Sequence, residues 1–255
     1  MALYDHFRPE EKTFIDLILE WKAYVNERYI VKRTDFLDPR QLDIIKAVIG
    51  NHQDMTLKFS GGYEGAERVR ALLIPPYVEE NLFDISLFEL HYPVKFATID
   101  HRQLLGALMG LGIKREKFGD LLFSQERIQF ITASEIADFV RLNLTEVGRH
   151  HVQCEAVPFS DILPVEAHWE HHEGSVASLR LDVVCAEIYR LSRSRISELI
   201  EGGLVKVNWR TVEKTSFELN AGDYLSLRGF GRSRLLTIEG LTKRGNRWIT
   251  YGILK

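Results

Sequence analysis

The stretch LDVVCAEIYRLSRSRISELIEGGLVKVNWR, residues 181–210, constrains this chain more than any other. Leu181, Val184, Cys185, Ile188 and Leu191 recur at helical spacing, so they pack inward while Arg190 and Arg193 reach outward. Ser192 or Ser194 caps a second helix. Gly202-Gly203 stops that helix and opens a tight entry into the alternating LVKVN, where Asn208 suits a left-handed turn. Gly222-Asp223 then turns the next strand back. Arg193 and Arg195 fall at the positive end of the second helix, where backbone amides and guanidinium forks grip a phosphate. A solvated helix end explains the same charges, so the arginines alone do not establish a nucleic-acid site.

Charge distribution adds a second constraint. The net charge of -3 gives no reason to expect nucleic acid, but it conceals a division. From Arg180 onward 14 bases face 8 acids, a balance of +6, whereas the preceding residues carry 19 bases and 28 acids, a balance of -9. A basic C-terminal module on an acidic body implies one specialised binding face and opposes indiscriminate coating by RNA. Cys154 and Cys185 are too few for a disulfide framework or a four-cysteine metal site, and they suit reduced, buried positions in a cytosolic protein. MALYDHFRPEEKTF lacks the basic and apolar regions of a secretory signal. No uncharged run approaches the roughly 20 residues that span a bilayer, so no membrane insertion is expected.

At the front, Phe14, Leu17, Ile18, Trp21 and Val25 predict a helix entered at Pro9. FLDPRQLDIIKAVIGNH predicts another, with Asp38 as cap, Pro39 in its first position and Gly50 as its stop. MTLKFSGGYEGAERVRALLIPP predicts two strands around a glycine turn. The Leu- and Phe-rich residues up to His91 read as a connector. YPVKFATID then reads as a strand, HRQLLGALMGLG as a helix, GDLLFSQERIQFITA as a hairpin, ASEIADFVRLNL as a helix and HHVQCEAVPF as a strand. This β-α-β-β-α-β order resembles a split βαβ arrangement, which carries no fixed function. SDILPVEAHWEHHEGSV bridges to the basic module, and the chain ends in a hairpin around Gly245-Asn246.

The segment LDVVCAEIYRLSRSRISELIEGGLVKVNWRTVEKTSFELNAGDYLSLRG is similar to the small RNA-binding domain named after bacterial small-subunit ribosomal protein four. Leu181-Asp182, Ser192-Arg193, Leu199-Ile200, Gly203, Val205, Val207-Asn208, Lys214 and Gly222-Asp223 hold its register. The resemblance implies a basic surface for structured RNA, formed by the helix pair and the following hairpin. Its expected contacts are Arg190, Arg193, Arg195, Lys206, Arg210 and Lys214, with Arg228 and Arg232 as a further basic cluster beside Arg234. Trp209 stands where such domains often have glycine; it either stacks on a base or packs over the hairpin.

With RGFGR, GGYEGAERVRALLIP and VKFATIDHRQLLGALMGLGIKREKFGDLL, the likeness extends over the chain and resembles the bacterial YlmH family. It implies an α+β protein with an N-terminal α/β domain at 1–76, a connector and RRM-like central split βαβ domain at 77–163, a linker at 164–180 and the RNA-binding domain at 181–255. It further implies a monomeric, cytoplasmic, ribosome-associated, non-catalytic protein without cofactor. Its partners are ribosomal RNA, the large ribosomal subunit and peptidyl-tRNA on stalled complexes, with connections to cell division. The competing classes are an RNA-modifying enzyme, for which no catalytic-aspartate signature or cofactor loop is evident, and a division-associated interaction protein.

Other motifs are weaker. The central domain offers Phe96 and Phe130 as stacking aromatics, but alternating aromatics are more often core residues, and between Val94 and Phe159 eight bases meet eight acids. GIKREK is a secondary RNA-contact candidate. HWEHHE, if helical, would place His168 and His172 on one face with Glu170 or Glu173, yet it lacks the His-Glu-x-x-His order and reads better as a polar linker. SGGYEG would hold an anion only if its amides converged, and it lacks a phosphate-loop ending. A strand entrance suits His150-His151 better than a general-base pair, and VEENLFD offers acids without a catalytic partner.

Overall fold

Helix-end chemistry sets the first elements. In the computed structural model, which describes residues 7, 9–50, 55–94, 97–124, 126–164, 169–241 and 245–254, α1 (Lys12–Arg28) buries Ile15, Ile18 and Val25 on one face. After β1 (Lys32–Leu37), helix α2 (Pro39–Ile49) starts at a reciprocal cap. The Gln41 amide donates to Asp38 at 2.8 Å, and the Asp38 amide donates to the Gln41 side chain at 2.9 Å. Pro39 sits inside that cap and Gly50 closes the helix. Strands β2 (Thr56–Ser60) and β3 (Val69–Ile74) complete a sheet of order β1-β3-β2, whose Ala71 and Leu73 pack on the two helices.

A second sheet follows from β4 (Ile85–His91), α3 (His101–Gly110), β5 (Phe118–Phe123), β6 (Ile128–Ala133), α4 (Ala137–Asn143), the short β7 (Glu146–Val147) and β8 (His150–His151), and β9 (Gln153–Val157). Its order is β5-β6-β4-β9, with antiparallel neighbours throughout. The expected strand at YPVKFATID is corrected: the strand is β4, within the stretch expected to be a connector, and residues 92–94 and 97–100 form none. Phe96 lies outside the described residues. The sequence signal failed because β4 is covered on both faces, so its apolar residues run together instead of alternating. Phe88 and Leu90 join the helix side, where Phe88 stacks on Phe130 at 5.4 Å. Leu87 and Ile131 face the other way, onto Phe36 of β1.

That second contact fixes the N-terminal sheet to the central one. Gly119 allows it, since a Cβ there would come within 2.9 Å of the Phe36 ring. Arg70, itself buried, donates to the Thr34 carbonyl at 2.7 Å, the Asp84 carbonyl at 2.8 Å and both carboxylate oxygens of Glu135 at 3.1 and 3.2 Å. Lys117 Nζ bridges Asp35 at 2.5 Å and Glu135 at 3.0 Å. These pairs join β1 and β3 to the segments around β5 and α4. They satisfy buried donors that packing alone would leave unpaired.

The chain divides into two compact units, 1–165 and 166–255. The second contains β10 (Trp169–Val176), α5 (Leu181–Tyr189), α6 (Arg193–Glu201), β11 (Val205–Val207), β12 (Arg210–Thr211), β13 (Tyr224–Leu227), β14 (Gly231–Leu241) and β15 (Arg247–Leu254). Its antiparallel sheet runs β10-β15-β14-β13-β11-β12. Val184, Cys185 and Ile188 of α5 and Ile196, Leu199 and Ile200 of α6 pack with Val205, Leu225, Leu235 and Ile249 of the sheet. The expected 164–180 linker thus contains β10, an eight-residue edge strand paired along its whole length with β15. Its polar residues concealed the strand because an edge strand leaves much of its surface in water.

Burial opposes ionisation of Glu135, but its own backbone amide, Lys117 and Arg70 outweigh burial and hold the carboxyl at about 2. A folded value below the unfolded value of about 4.3 stabilises the fold above that pH, and the contribution is lost as pH falls toward 2. Glu135→Gln is therefore expected to lower stability at pH 7 and to flatten the loss of stability between about pH 4 and 2, as checked by urea unfolding across that range.

Candidate nucleic-acid interface

The C-terminal helix pair is organised by a carboxylate. Asp182, in the first turn of α5, is only 2 % exposed. Arg180 donates to it through Nε at 3.0 Å and Nη2 at 3.2 Å, and Arg193 through Nε at 2.8 Å. Burial alone would raise the Asp182 pKa, but the hydrogen bonds and charges of Arg180 and Arg193 hold it below the ordinary carboxylate value. The amides of Leu181 and Asp182 donate to the carbonyls of Phe217 and Thr215, at 2.7 and 3.1 Å. The loop carrying Lys214 is thereby brought against the start of α5.

Ser192, rather than Ser194, caps α6: its Oγ accepts from the Arg195 amide at 3.3 Å. Arg195 is exposed and pairs with Glu198 at 2.8 Å, a surface contact that water and salt readily exchange. Arg193 is also more than half exposed, but its guanidinium is committed to Asp182. Arg190 occupies the left-handed end of α5, pairs with Glu187 at 2.7 Å and donates to the Tyr251 hydroxyl at 3.2 Å. The three arginines thus differ: Arg193 is a structural clamp with an exposed flank, Arg190 links helix to sheet, and Arg195 has the least committed charge.

Among the remaining candidates, Lys206 projects from β11 between the buried Val205 and Val207. Lys214 and Arg228 are exposed, and like Lys206 they have no carboxylate within ion-pair distance among the described residues. Arg210 opens β12 opposite Val207, whereas Arg232 lies on β14 opposite Ser226. Arg228 sits in the β13–β14 turn, whose Gly229 and Gly231 both have positive φ.

Trp209 and Asn208 both adopt positive φ, 61° and 48°, in the two-residue turn between β11 and β12. Such a turn favours Asn-Gly, so the indole sits on a backbone that disfavours a large side chain. Tyr224 holds it there with a ring-centroid distance of 5.1 Å, while the Asn208 side chain donates to Asp223 and accepts from the Tyr224 amide. Trp209 therefore packs over the hairpin but stays partly exposed. Tyr224 and Trp169 approach each other at 5.9 Å, and neither stands out in the sequence. Their signal is strand parity, legible only once β10 is recognised as a strand.

Several weaker candidates acquire definite roles. In GIKREK, Arg115 donates inward to the Phe118 carbonyl at 2.7 Å and Lys117 is paired, leaving Lys114 exposed. The amides after SGGYEG do converge on an anion, but an internal one. Glu67 and Arg68 donate to Asp120 at 2.8 and 3.1 Å, and Tyr63 adds its hydroxyl at 2.7 Å. Phe130 is fully buried, and the sheet surface opposite α3 and α4 is covered by Phe36, Tyr63, Phe159 and Ile162.

His168 lies outside the described residues, and the rest of HWEHHE is strand; His172 stacks on Tyr251 at 5.6 Å. Among the described residues, no group of three or more His, Cys, Asp or Glu side chains is arranged to hold a metal. Cys154 and Cys185 are free and buried, with burial pushing both thiols up to about 12.

Comparison with known proteins gives the surface its context. Residues 10–78 match the family described as "YlmH, N-terminal", 78–161 match "Putative RNA-binding domain in YlmH", and 179–225 match "S4 domain". The chain is 48% identical over 251 residues to the "Ribosome-associated protein quality control protein P2" of Bacillus subtilis (strain 168), covering 98% of this chain and 97% of that protein. It also resembles the solved "Cell division protein ylmH from Streptococcus pneumoniae" at 32% identity and a TM-score of 0.54, over 64% of this chain and 100% of that one. The chain belongs to the YlmH family and carries an S4 RNA-binding domain.

The clamp separates two neighbouring arginines by experiment. Arg193→Ala leaves the buried Asp182 with one guanidinium partner and is expected to cost about 1–2 kcal/mol, allowing for the exposure of Arg193. Arg195→Ala is expected to stay within about 0.5 kcal/mol of the parent. Urea unfolding of both variants at neutral pH measures the difference.

Proposed function

We propose that this YlmH-family chain is a cytoplasmic, non-catalytic RNA-binding protein that docks on ribosomal RNA of the large subunit through its S4 domain and acts on stalled complexes that retain peptidyl-tRNA. The observation that carries this reading is the S4 match across the helix pair, where the exposed Arg195 and the Lys214 loop flank helix starts organised by Asp182. Phosphates would be met by Arg195 and Lys214 and by the exposed flank of Arg193, with Arg190, Arg210 and Arg228 at the margins. Such contacts supply affinity and orientation, while RNA shape supplies selectivity. The near full-length relative is named for ribosome-associated quality control rather than for a reaction, which supports the non-catalytic assignment and the ribosomal partner.

The central domain fits an RRM-like assignment by its strand order and by the placement of α3 and α4 against one face. It differs from RRMs that stack bases on an open sheet, because the corresponding face is packed against Phe36 and Phe159. RNA contact by this domain would therefore use its perimeter, where Lys114 is exposed. Domain boundaries at 1–76, 77–163 and 181–255 suit this assignment, with the intervening 164–180 segment contributing β10 to the C-terminal sheet. A cell-division role forms a second reading, motivated by the name of the pneumococcal relative.

Arg195→Ala combined with Lys214→Ala is expected to weaken co-sedimentation with large ribosomal subunits carrying peptidyl-tRNA. The slope of log affinity against log salt should fall by about one unit for each phosphate that the variant no longer neutralises. Unchanged affinity and slope in a folded double variant would sink the assignment of these two residues to phosphate. Retained localisation to division sites by a variant that no longer binds subunits would favour the second reading.

A further inference from the structure

The C-terminal sheet has a second surface, on the side away from α5 and α6. Leu225, Leu227, Val205 and Val207 belong to the helix-side core, so the alternate residues of β11 and β13 point away from it. Cross-strand register then places Lys206, Ser226 and Arg232 in one row and Tyr224, Arg234 and Gly252 in the next. Trp169 reaches across the second row: a Cβ on Gly252 would come within 3.0 Å of its indole, and its ring meets Tyr224 edge-on at 5.9 Å. Trp209 approaches Tyr224 at 5.1 Å, and the Arg234 guanidinium lies 4.6 Å from the same ring.

Three aromatic rings and three bases therefore share one face. Two details go beyond ordinary packing. Trp209 is held at a positive φ where glycine is favoured, yet it keeps part of its ring in water. Arg234 has a buried Nε with no hydrogen-bond partner among the described residues. Acids also stand on this surface: Glu173 on the edge strand opposite Thr250, and Glu239 of β14 beside Thr237, both in different rows from the aromatic group.

Aromatic rings flanked by guanidinium and ammonium groups suit unpaired bases. Every base offers a π-face, and the chain's phosphates can follow the bases along the sheet. A duplex has no free base face to offer. We propose that this helix-free face is a separate site for single-stranded RNA, with bases stacking beside Trp209 and Trp169 and phosphates met by Lys206, Arg232 and Arg234. The proposal rests on the RNA-binding reading above and adds a site of different specificity: the helix starts engage structured RNA, and the sheet face engages an unpaired segment.

The test uses the full chain, a labelled ten-nucleotide oligouridylate, a blunt RNA duplex and large ribosomal subunits. Trp209→Gly puts the favoured residue at the turn, and Tyr224→Leu removes the central ring while keeping an apolar side chain. Each folded variant, checked by its thermal transition, is expected to bind oligouridylate roughly tenfold more weakly while binding the duplex as the parent does. If Tyr224→Leu does not fold, Trp209→Gly alone decides. Oligouridylate affinity unchanged in the folded variants would overturn the proposal. A parent protein that binds subunits but not oligouridylate would overturn the sheet-face site alone, and one that binds none of the three RNAs would overturn the underlying RNA reading as well.

Discussion

A carboxylate that cannot reach bulk water organises the RNA-binding module. Asp182 lies in the first turn of α5, and its charge survives burial because Arg180 and Arg193 surround it. Since Arg193 begins α6, this pairing also sets where the second helix starts relative to the first. The adjoining amides bind the 215–217 loop, placing Lys214 at the same edge. The phosphate surface proposed for these helix starts would be ordered before RNA arrives, so less ordering cost would oppose binding. It also means that the motif arginine most easily taken for a ligand contact has a structural duty, while its neighbour Arg195 has the freer charge.

The first unit applies the same logic to its own joins. Arg70 and Lys117 are shared among Asp35, Glu135 and backbone carbonyls, and Asp120 gathers the amides that follow the glycine loop. These polar contacts surround an apolar join in which Phe36 meets Leu87 and Ile131. Apolar contact supplies the non-directional attraction, and the ion pairs fix the register of one sheet on the other. Covering that face removes the aromatic platform an isolated sheet would offer. The available aromatic and basic face lies instead on the C-terminal sheet, where Trp169, Tyr224 and Trp209 meet Arg234.

Much of the local structure is legible residue by residue. Asp38, Pro39 and Gly50 mark both ends of α2, and Ser192 is one of two caps that the sequence offers for α6. Helix ends can be read because the relevant hydrogen bonds connect residues a few positions apart. Strands β4 and β10 escape such a reading for opposite reasons. Burial on both faces erases alternation in β4, whereas water along an edge makes β10 look like a polar linker. The tight Asn208 turn is legible, but the ring that holds Trp209 comes from Tyr224, across the sheet.

The sequence by itself determined the helix pair, its stops and turns, the basic C-terminal balance and the likeness to an RNA-binding family. Those properties reside in neighbouring residues, in period and in net charge. Only the tertiary structure decided how the charges are used: Arg193 on Asp182, Arg115 turned inward, and Lys206 and Arg232 on a different face from Arg195. The physical reason is that a charge is defined by its residue, but its availability depends on partners and burial. Those are supplied by groups distant in sequence and brought close only when the sheets close over their cores.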